Sequence, residues 1–315
     1  MTEELVYNPE KPVLVIGAAG VDLVGRLKGG LLPSTSNPAR IRSSFGGVGR
    51  NVAENLARLG QAVTLLTAVG QDPAGDQLLE DAAEAGVDVS HVLRSSEQPT
   101  GTYLAVINPE GGLQFGLDDM RAIAALSAEH VRLHADLFAQ ASLVFMDANL
   151  PKETLRAAMA LARKAGLPIC ADPTSQTLAA RLKPYLPRLR LVAPNAAEAA
   201  ILCGYDFDVT GRRKALAAAK CLVGQGVDIA IIALAEAGVC YATSATSGHI
   251  PAMRTEILDP TGAGDALTAT VLFALLNDIP IDDAVRLGVA AASLTLRYRG
   301  AVVPDLSLET LYDIL

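Results

Sequence analysis

Short apolar runs alternate with stretches of helical periodicity along most of this chain, and that rhythm limits the fold more than any single motif does. Val13–Gly17 reads as a buried strand, Gly49–Leu59 as a helix stopped by Gly60, and Ala62–Val69 as the next strand. Pro73–Ala85 is a helix stopped by Gly86. The cycle returns in Leu143–Asp147, Glu153–Lys164, Pro168–Asp172, Arg190–Ala193, Ala196–Cys203, Arg212–Val223 and Asp228–Leu234. Strands joined by helices of this length build βαβ units, so the pattern predicts an α/β fold, a mainly parallel sheet flanked by helices. Two further strands, Val239–Thr243 and Ser247–Pro251, precede helices over Ala263–Leu276 and Ile281–Arg297.

Two segments break the rhythm. Val21–Phe45 carries Gly25, Gly29, Gly30 and a polar stretch from Pro33 to Pro38. Tyr103–Leu117 reads as a hairpin of Tyr103–Asn108 and Gly112–Leu117, turning at Pro109-Glu110-Gly111. An ordinary edge hairpin beside a long loop is one reading. The favoured one pairs the two segments, about 21–45 and 101–118, as a small β lid. No repeat, low-complexity tract or linker divides the chain, so residues 1–315 are read as a single domain.

Half of the 315 residues are hydrophobic, enough for a sizeable core. A net charge of −8 and a pI near 5.1 argue against a nucleic-acid partner. They leave room for a small anion, because backbone amides hold phosphate without basic side chains. No apolar segment reaches membrane-spanning length, and Met1 to Pro12 shows no signal-peptide pattern. Cys170, Cys203, Cys221 and Cys240 form no Cys-x-x-Cys pair. They read as reduced thiols of a cytoplasmic protein.

The chemistry concentrates in four places. Asp259-Pro260-Thr261-Gly262-Ala263-Gly264-Asp265 runs directly into an apolar helix. A Gly-Ala-Gly turn at a helix start exposes backbone N–H groups to an anion, and Asp265 puts a base beside it. The bland alternative leaves Asp265 complementing the helix dipole. The second place is Gly46-Gly47-Val48-Gly49-Arg50-Asn51, where glycines bring a polar ligand close to backbone and Asn51 offers a donor and an acceptor. A plain strand-to-helix turn explains it equally well. Third, Asp22 follows the first strand, where open α/β sheets bind ligands; it grips sugar hydroxyls or is a solvated turn residue. Fourth, Asn195 and Glu198 fit a capping box and also fit oxygen donors near a hydrated Mg²⁺. His130 and His134, with i,i+4 spacing, read as surface helix residues rather than metal ligands.

In order and spacing, Gly46-Gly47 with Asn51, then Asn195-x-x-Glu198, then Asp259-x-Thr261-Gly262-Ala263-Gly264-Asp265 resemble the ribokinase-like (PfkB) sugar kinases over nearly the whole chain. Within that family the chain looks most like the pseudouridine kinases, through Ser36-Asn37-Pro38, the run Gly46 to Ala57, Asp118-Asp119-Met120 and Asp147-x-Asn149. The resemblance implies a ribokinase-like fold and ATP-dependent phosphorylation of a 5′-hydroxyl, preferably that of pseudouridine. Another sugar or nucleoside, or a non-catalytic binding protein on the same scaffold, is the alternative.

By the same resemblance Asp265 is the base, and Gly262, Ala263 and Gly264 form the anion hole. Asp22, Gly46, Gly47, Asn51, Asp119 and Asn149 bind substrate. Asn195, Glu198, Ala235 and Gly238 serve ATP, with Glu198 reaching Mg²⁺ through water. Backbone oxygens of Asp259, Thr261 and the Arg297–Ala301 loop hold K⁺, and the lid makes a homodimer. Two departures stand out. Gly20 occupies the position two before Asp22 where the family usually has Asn, and Ala235 begins a loop that usually reads Gly-x-x-Gly.

Overall fold

Val13–Ile16 is buried at every position because it lies inside the sheet, paired in parallel with Val63–Leu66 on one side and Leu143–Asp147 on the other. The computed structural model describes residues 8–110, 112–206 and 208–315; the expected turn residue Gly111 and residues 1–7 lie outside that range. Among the described residues the main sheet has nine strands. Their spatial order is Ser247–Ile250, Val239–Thr243, Ile229–Ala233, Leu191–Val192, Ile169–Asp172, Leu143–Asp147, Val13–Ile16, Val63–Leu66 and Val87–Asp88. All pairings are parallel except the last two at one edge, where Val239–Thr243 pairs antiparallel with both of its neighbours.

Alternate strand residues feed two separate cores, as expected of a sheet covered on both faces. Leu14, Ile16, Val144, Met146 and Ile232 pack with the helices Lys152–Lys164, Ala196–Cys203 and Gly211–Gly224. Val13, Val15, Phe145, Ile229 and Ile231 pack on the other face with Val48–Arg58, Ala263–Leu276 and Ile281–Leu296. Ala263–Leu276 is apolar all round because it is enclosed, with Gly288 of the next helix set against Leu267 and Val271. Pro73–Glu84 starts where Asp72 accepts a hydrogen bond from the Gly75 amide.

One expectation needs correction. Ala62–Val69 is not one strand. The chain leaves the main sheet after Leu66, and Ala68–Gly70 pairs instead with Leu93–Ser95 as a separate ribbon. Both pieces are buried, so hydropathy gives no sign of the change of partner. Val21–Phe45 does pair into a small lid sheet with the hairpin, as the favoured reading expects. Gly20–Leu27 and Ala39–Gly46 pair antiparallel along their whole lengths, leaving the Gly- and Pro-rich residues to the connection.

These strands continue into a four-stranded lid sheet. Gly20–Leu27 pairs in parallel with Gly101–Ile107, which pairs antiparallel with Leu113–Asp119. Directly opposed residues share a face. One face carries Asp22, Ser44, Tyr103 and Asp118 in register, and the other carries Leu23, Leu104 and Leu117 with Ile41, Val106 and Phe115. On that second face Ile41 is 75% exposed, Leu117 61% and Phe115 41%. Among the described residues no helix is long and apolar enough to cross a membrane.

Candidate active site

The carboxyl ends of the parallel strands supply most of the candidate groups, the place where open α/β sheets bind ligands. Asp147 and Asp172 end neighbouring strands in register, and Asn195 and Ala235 follow the next two. The helix Ala263–Leu276 points its start into this row. Gly262 precedes it with φ 77°, and no side chain caps the first turn. A Cβ on Gly262 would lie 2.0 Å from the Ala301 carbonyl oxygen, so the turn closes only around glycine. A Cβ on Gly264, in contrast, would enter open space. Uncapped amides with room in front of them are the geometry that can hold an anion.

Asp265 is in the first turn of that helix, and its Oδ2 accepts a hydrogen bond from Asn51 Nδ2 at 2.8 Å. It keeps an exposed edge, yet the surrounding protein removes most of its hydration and pushes its pKa up to about 7. The Asn51 hydrogen bond opposes that rise, while the charges of Asp147, Asp22 and Glu198 add to it.

Asn51 is brought there by the start of Val48–Arg58. Gly47 opens this helix with φ 94°, and a Cβ on it would lie 2.5 Å from the Ala18 carbonyl oxygen. Asp147, fully buried, fastens the junction. Its Oδ2 accepts from the Ala18 and Gly49 amides at 2.8 and 2.9 Å, and its Oδ1 from the Asn149 amide at 2.9 Å. Burial raises its pKa against the pull of those donors.

Asp22 is not a turn residue past a strand end; it lies within the lid strand Gly20–Leu27. Its carboxylate packs against Gly46, where a Cβ would lie 2.2 Å from Asp22 Oδ2. Burial pushes its pKa up to about 6, opposed by Arg50 and reinforced by Asp259. Asp119 is not brought to this face. It pairs across from Thr102, and Arg121 holds it at 2.8 and 2.7 Å in the open. Asp118 is the residue in register with Tyr103 on the Asp22 side, and both carboxylates raise the Tyr103 pKa after burial does.

Asn195 and Glu198 form a complete capping box. Asn195 Oδ1 accepts from the Ala197 and Glu198 amides, while Glu198 accepts from the Asn195 backbone and side-chain N–H groups at 2.9 and 2.8 Å. Burial raises the Glu198 pKa. Asp172, held by the Thr174 amide, is raised well above the carboxylate range by burial and then by Glu198 and Asp265. Among the described residues no three His, Cys, Asp or Glu side chains could hold a metal ion as a group.

Ala235 opens the loop after Ile229–Ala233 with φ 48°, and Gly238 closes it with φ 87°. The backbone there asks for glycine, and the chain supplies alanine. His249 pins the loop from the adjacent strand, with Nε2 2.6 Å from the Ala237 carbonyl oxygen. Asp259 Oδ1 accepts from the Thr261 amide and hydroxyl at 3.1 and 2.8 Å, while its Oδ2 pairs with Arg42 of the lid. Among the described residues neither the Asp259 nor the Thr261 carbonyl oxygen accepts a backbone hydrogen bond.

Asp172 and Arg42 are the residues that motif reading passes over, and Asp147 enters it only within Asp147-x-Asn149, without its role of tying the Ala18 and Gly49 amides. The end-of-strand position is the only signal available for Asp172, and Arg42 has none.

Comparison with known proteins identifies the family. The pfkB family carbohydrate kinase signature matches residues 10–307. The Escherichia coli K12 pseudouridine kinase is 30% identical, over 96% of this chain and 96% of its own. The guanosine-inosine kinase of Exiguobacterium acetylicum is 29% identical over 93% of this chain and 97% of its own. An Arabidopsis thaliana ribokinase solved with ribose and ATP superimposes with a TM-score of 0.83 at 21% identity, covering 96% of this chain and 98% of its own. The fold is thus ribokinase-like, and the chain belongs to the pfkB family of carbohydrate kinases, enzymes that transfer a phosphoryl group to a hydroxyl.

Proposed function

We propose that this enzyme transfers the γ-phosphoryl group of ATP to the 5′-hydroxyl of a ribosyl nucleoside, with pseudouridine as the first candidate. The observation that carries the reading is Asp265, a carboxylate with a pKa near neutrality at the mouth of an uncapped helix start. A base poised near the working pH is what proton removal from a hydroxyl requires. Pseudouridine is favoured by the relative from Escherichia coli together with the motifs around Asn37 and Asp118. Guanosine, inosine and ribose are the competing acceptors, since a relative of similar identity is a guanosine-inosine kinase.

In this scheme Asp22, Gly46, Gly47 and Asn51 orient the ribose, with Asn149 beside them and Asp118 in place of Asp119 at the lid. Asp265 takes the hydroxyl proton. The amides of Gly262, Ala263 and Gly264 receive the migrating charge, a contribution of about 10²–10³ in rate per donor. Asn195, Glu198 and the Ala235–Gly238 loop face the nucleotide. Mg²⁺, when bound near Glu198 and Asp172 through water, supplies charge neutralisation for the phosphates. K⁺ is assigned to the free carbonyl oxygens of Asp259 and Thr261, because Arg42 already neutralises the Asp259 carboxylate. The lid excludes water, whose attack would hydrolyse ATP.

The exposed Ile41, Phe115 and Leu117 support a homodimer through the lid. Light scattering should return twice the mass of 32.7 kDa, and a monomer would refute it. The free cysteines suit a cytoplasmic protein. ADP release measured with pseudouridine, guanosine, inosine, ribose and fructose tests the substrate. Turnover with pseudouridine well above the others supports the reading, and turnover with ribose alone defeats it.

A further inference from the structure

Between the lid and the segment leading to Asp259 lies a cavity of about 340 Å³ whose lining includes Arg26, Arg40, Arg42 and Arg299 and no acidic residue. We propose that it binds a small phosphate-bearing anion through these arginines rather than through the Gly262–Gly264 amides.

Charge carries the argument first. The whole protein is acidic, with a net charge of −8, yet four arginines line one cavity. Arg42 pairs with Asp259, and Arg26 Nη1 donates to the Pro109 carbonyl at 3.2 Å. Arg40 and Arg299 pair with no carboxylate among the described residues. Like charges gathered at one cavity repel, and physiological salt screens that repulsion only gradually, over a decay length of about 8 Å. A phosphate dianion relieves that repulsion, and planar guanidinium forks match its oxygens two at a time.

Size and lining carry it further. The volume falls at the small-molecule end of ligand pockets, about 300–1,000 Å³. Val24, Ile107, Ile257 and Leu258 give it apolar walls beside the arginines, room for an organic body attached to the phosphate. Its position also has a consequence. Arg42 belongs both to the cavity and to the contact with Asp259, so a bound anion competes with Asp259 for the same guanidinium. The site does not depend on which hydroxyl the enzyme phosphorylates.

The test is calorimetric titration of the full-length protein with inorganic phosphate and, separately, with ribose 5-phosphate, repeated at raised salt. The comparison protein carries Arg40→Gln and Arg299→Gln, two exposed positions, with its fold checked by circular dichroism and thermal melting. Saturable binding that weakens with salt, and weakens at least about tenfold in the double variant, is the expected result. Binding of both ligands assigns the phosphate alone; binding of ribose 5-phosphate only assigns its organic body as well. Absence of saturable binding by the unaltered protein overturns the proposal. So does equal affinity in a folded double variant.

Discussion

Asn51 Nδ2 donates to Asp265 Oδ2 at 2.8 Å, tying the helix that follows Gly47 to the helix that begins at Gly262. The contact holds the proposed sugar-binding turn and the proposed base in one geometry. It also sets the basicity of the base, because it favours the ionised carboxylate against burial.

Removing that donor should therefore move a titration. In Asn51→Ala the Asp265 pKa rises above its value of about 7, so kcat at neutral pH falls and part of it returns in alkali. A kcat–pH profile with an acid limb unchanged from the unaltered enzyme would contradict this.

The same burial destabilises the folded protein. The carboxyls of Asp22 and Asp265 have folded pKa values of about 6 and 7, against an ordinary aspartate value of 3.8. Through that window the native state still holds protons that the unfolded chain has released. Stability is then greatest at the acid end of the window and falls as pH rises toward 7. Asp265→Asn should raise the melting temperature at pH 8 and leave it nearly unchanged near pH 4. Equal effects at both pH values would rule out the linkage.

Asp147 is expected to be a structural tie with a functional cost. Asp147→Ala leaves the buried amides of Ala18 and Gly49, and the part-buried amide of Asn149, without their acceptor, a loss of at least about 2 kcal/mol at about 1–3 kcal/mol for each buried donor. Asp147→Asn keeps one acceptor oxygen and should lose less while raising KM for the hydroxyl substrate. Denaturant unfolding and steady-state kinetics check the two halves.

These residues also show what the sequence can and cannot reveal. The βαβ rhythm and the Gly262–Asp265 turn are local patterns, and apart from the break inside Ala62–Val69 both are found where the spacing put them. Asp147 acts through backbone amides as many as 129 residues away, which leaves no spacing to read. Arg42 and Asp259, 217 residues apart, are equally invisible. The lid strand Ala39–Gly46 looks irregular in the sequence because only one face is covered and its neighbours are rich in glycine and proline. Asp119 and Asp118 differ only in which face the strand gives them, and a shift of one residue reverses that assignment.

Ala235 should respond to glycine. Its φ of 48° lies in the left-handed region, so Ala235→Gly relieves strain and stabilises the protein by about 1 kcal/mol. Losing the methyl also lets backbone approach the nucleotide, and KM for ATP should fall. A higher KM would show that the methyl is part of the site.

Gly264→Ala separates room from structure. The added methyl enters open space in the free protein, so the melting temperature should hold. With phosphate in front of the same amide, the methyl obstructs the anion, and kcat should fall by about 10²-fold or more. Full activity would mean that phosphate does not approach Gly264.

The central claim is that Asp265 is the base of a hydroxyl kinase. Its direct measurement is ADP release by Asp265→Asn with pseudouridine and ATP, alongside calorimetric binding of pseudouridine. The account predicts turnover reduced by about 10²–10⁴ or more with the dissociation constant little changed. Turnover near that of the unaltered enzyme would contradict it.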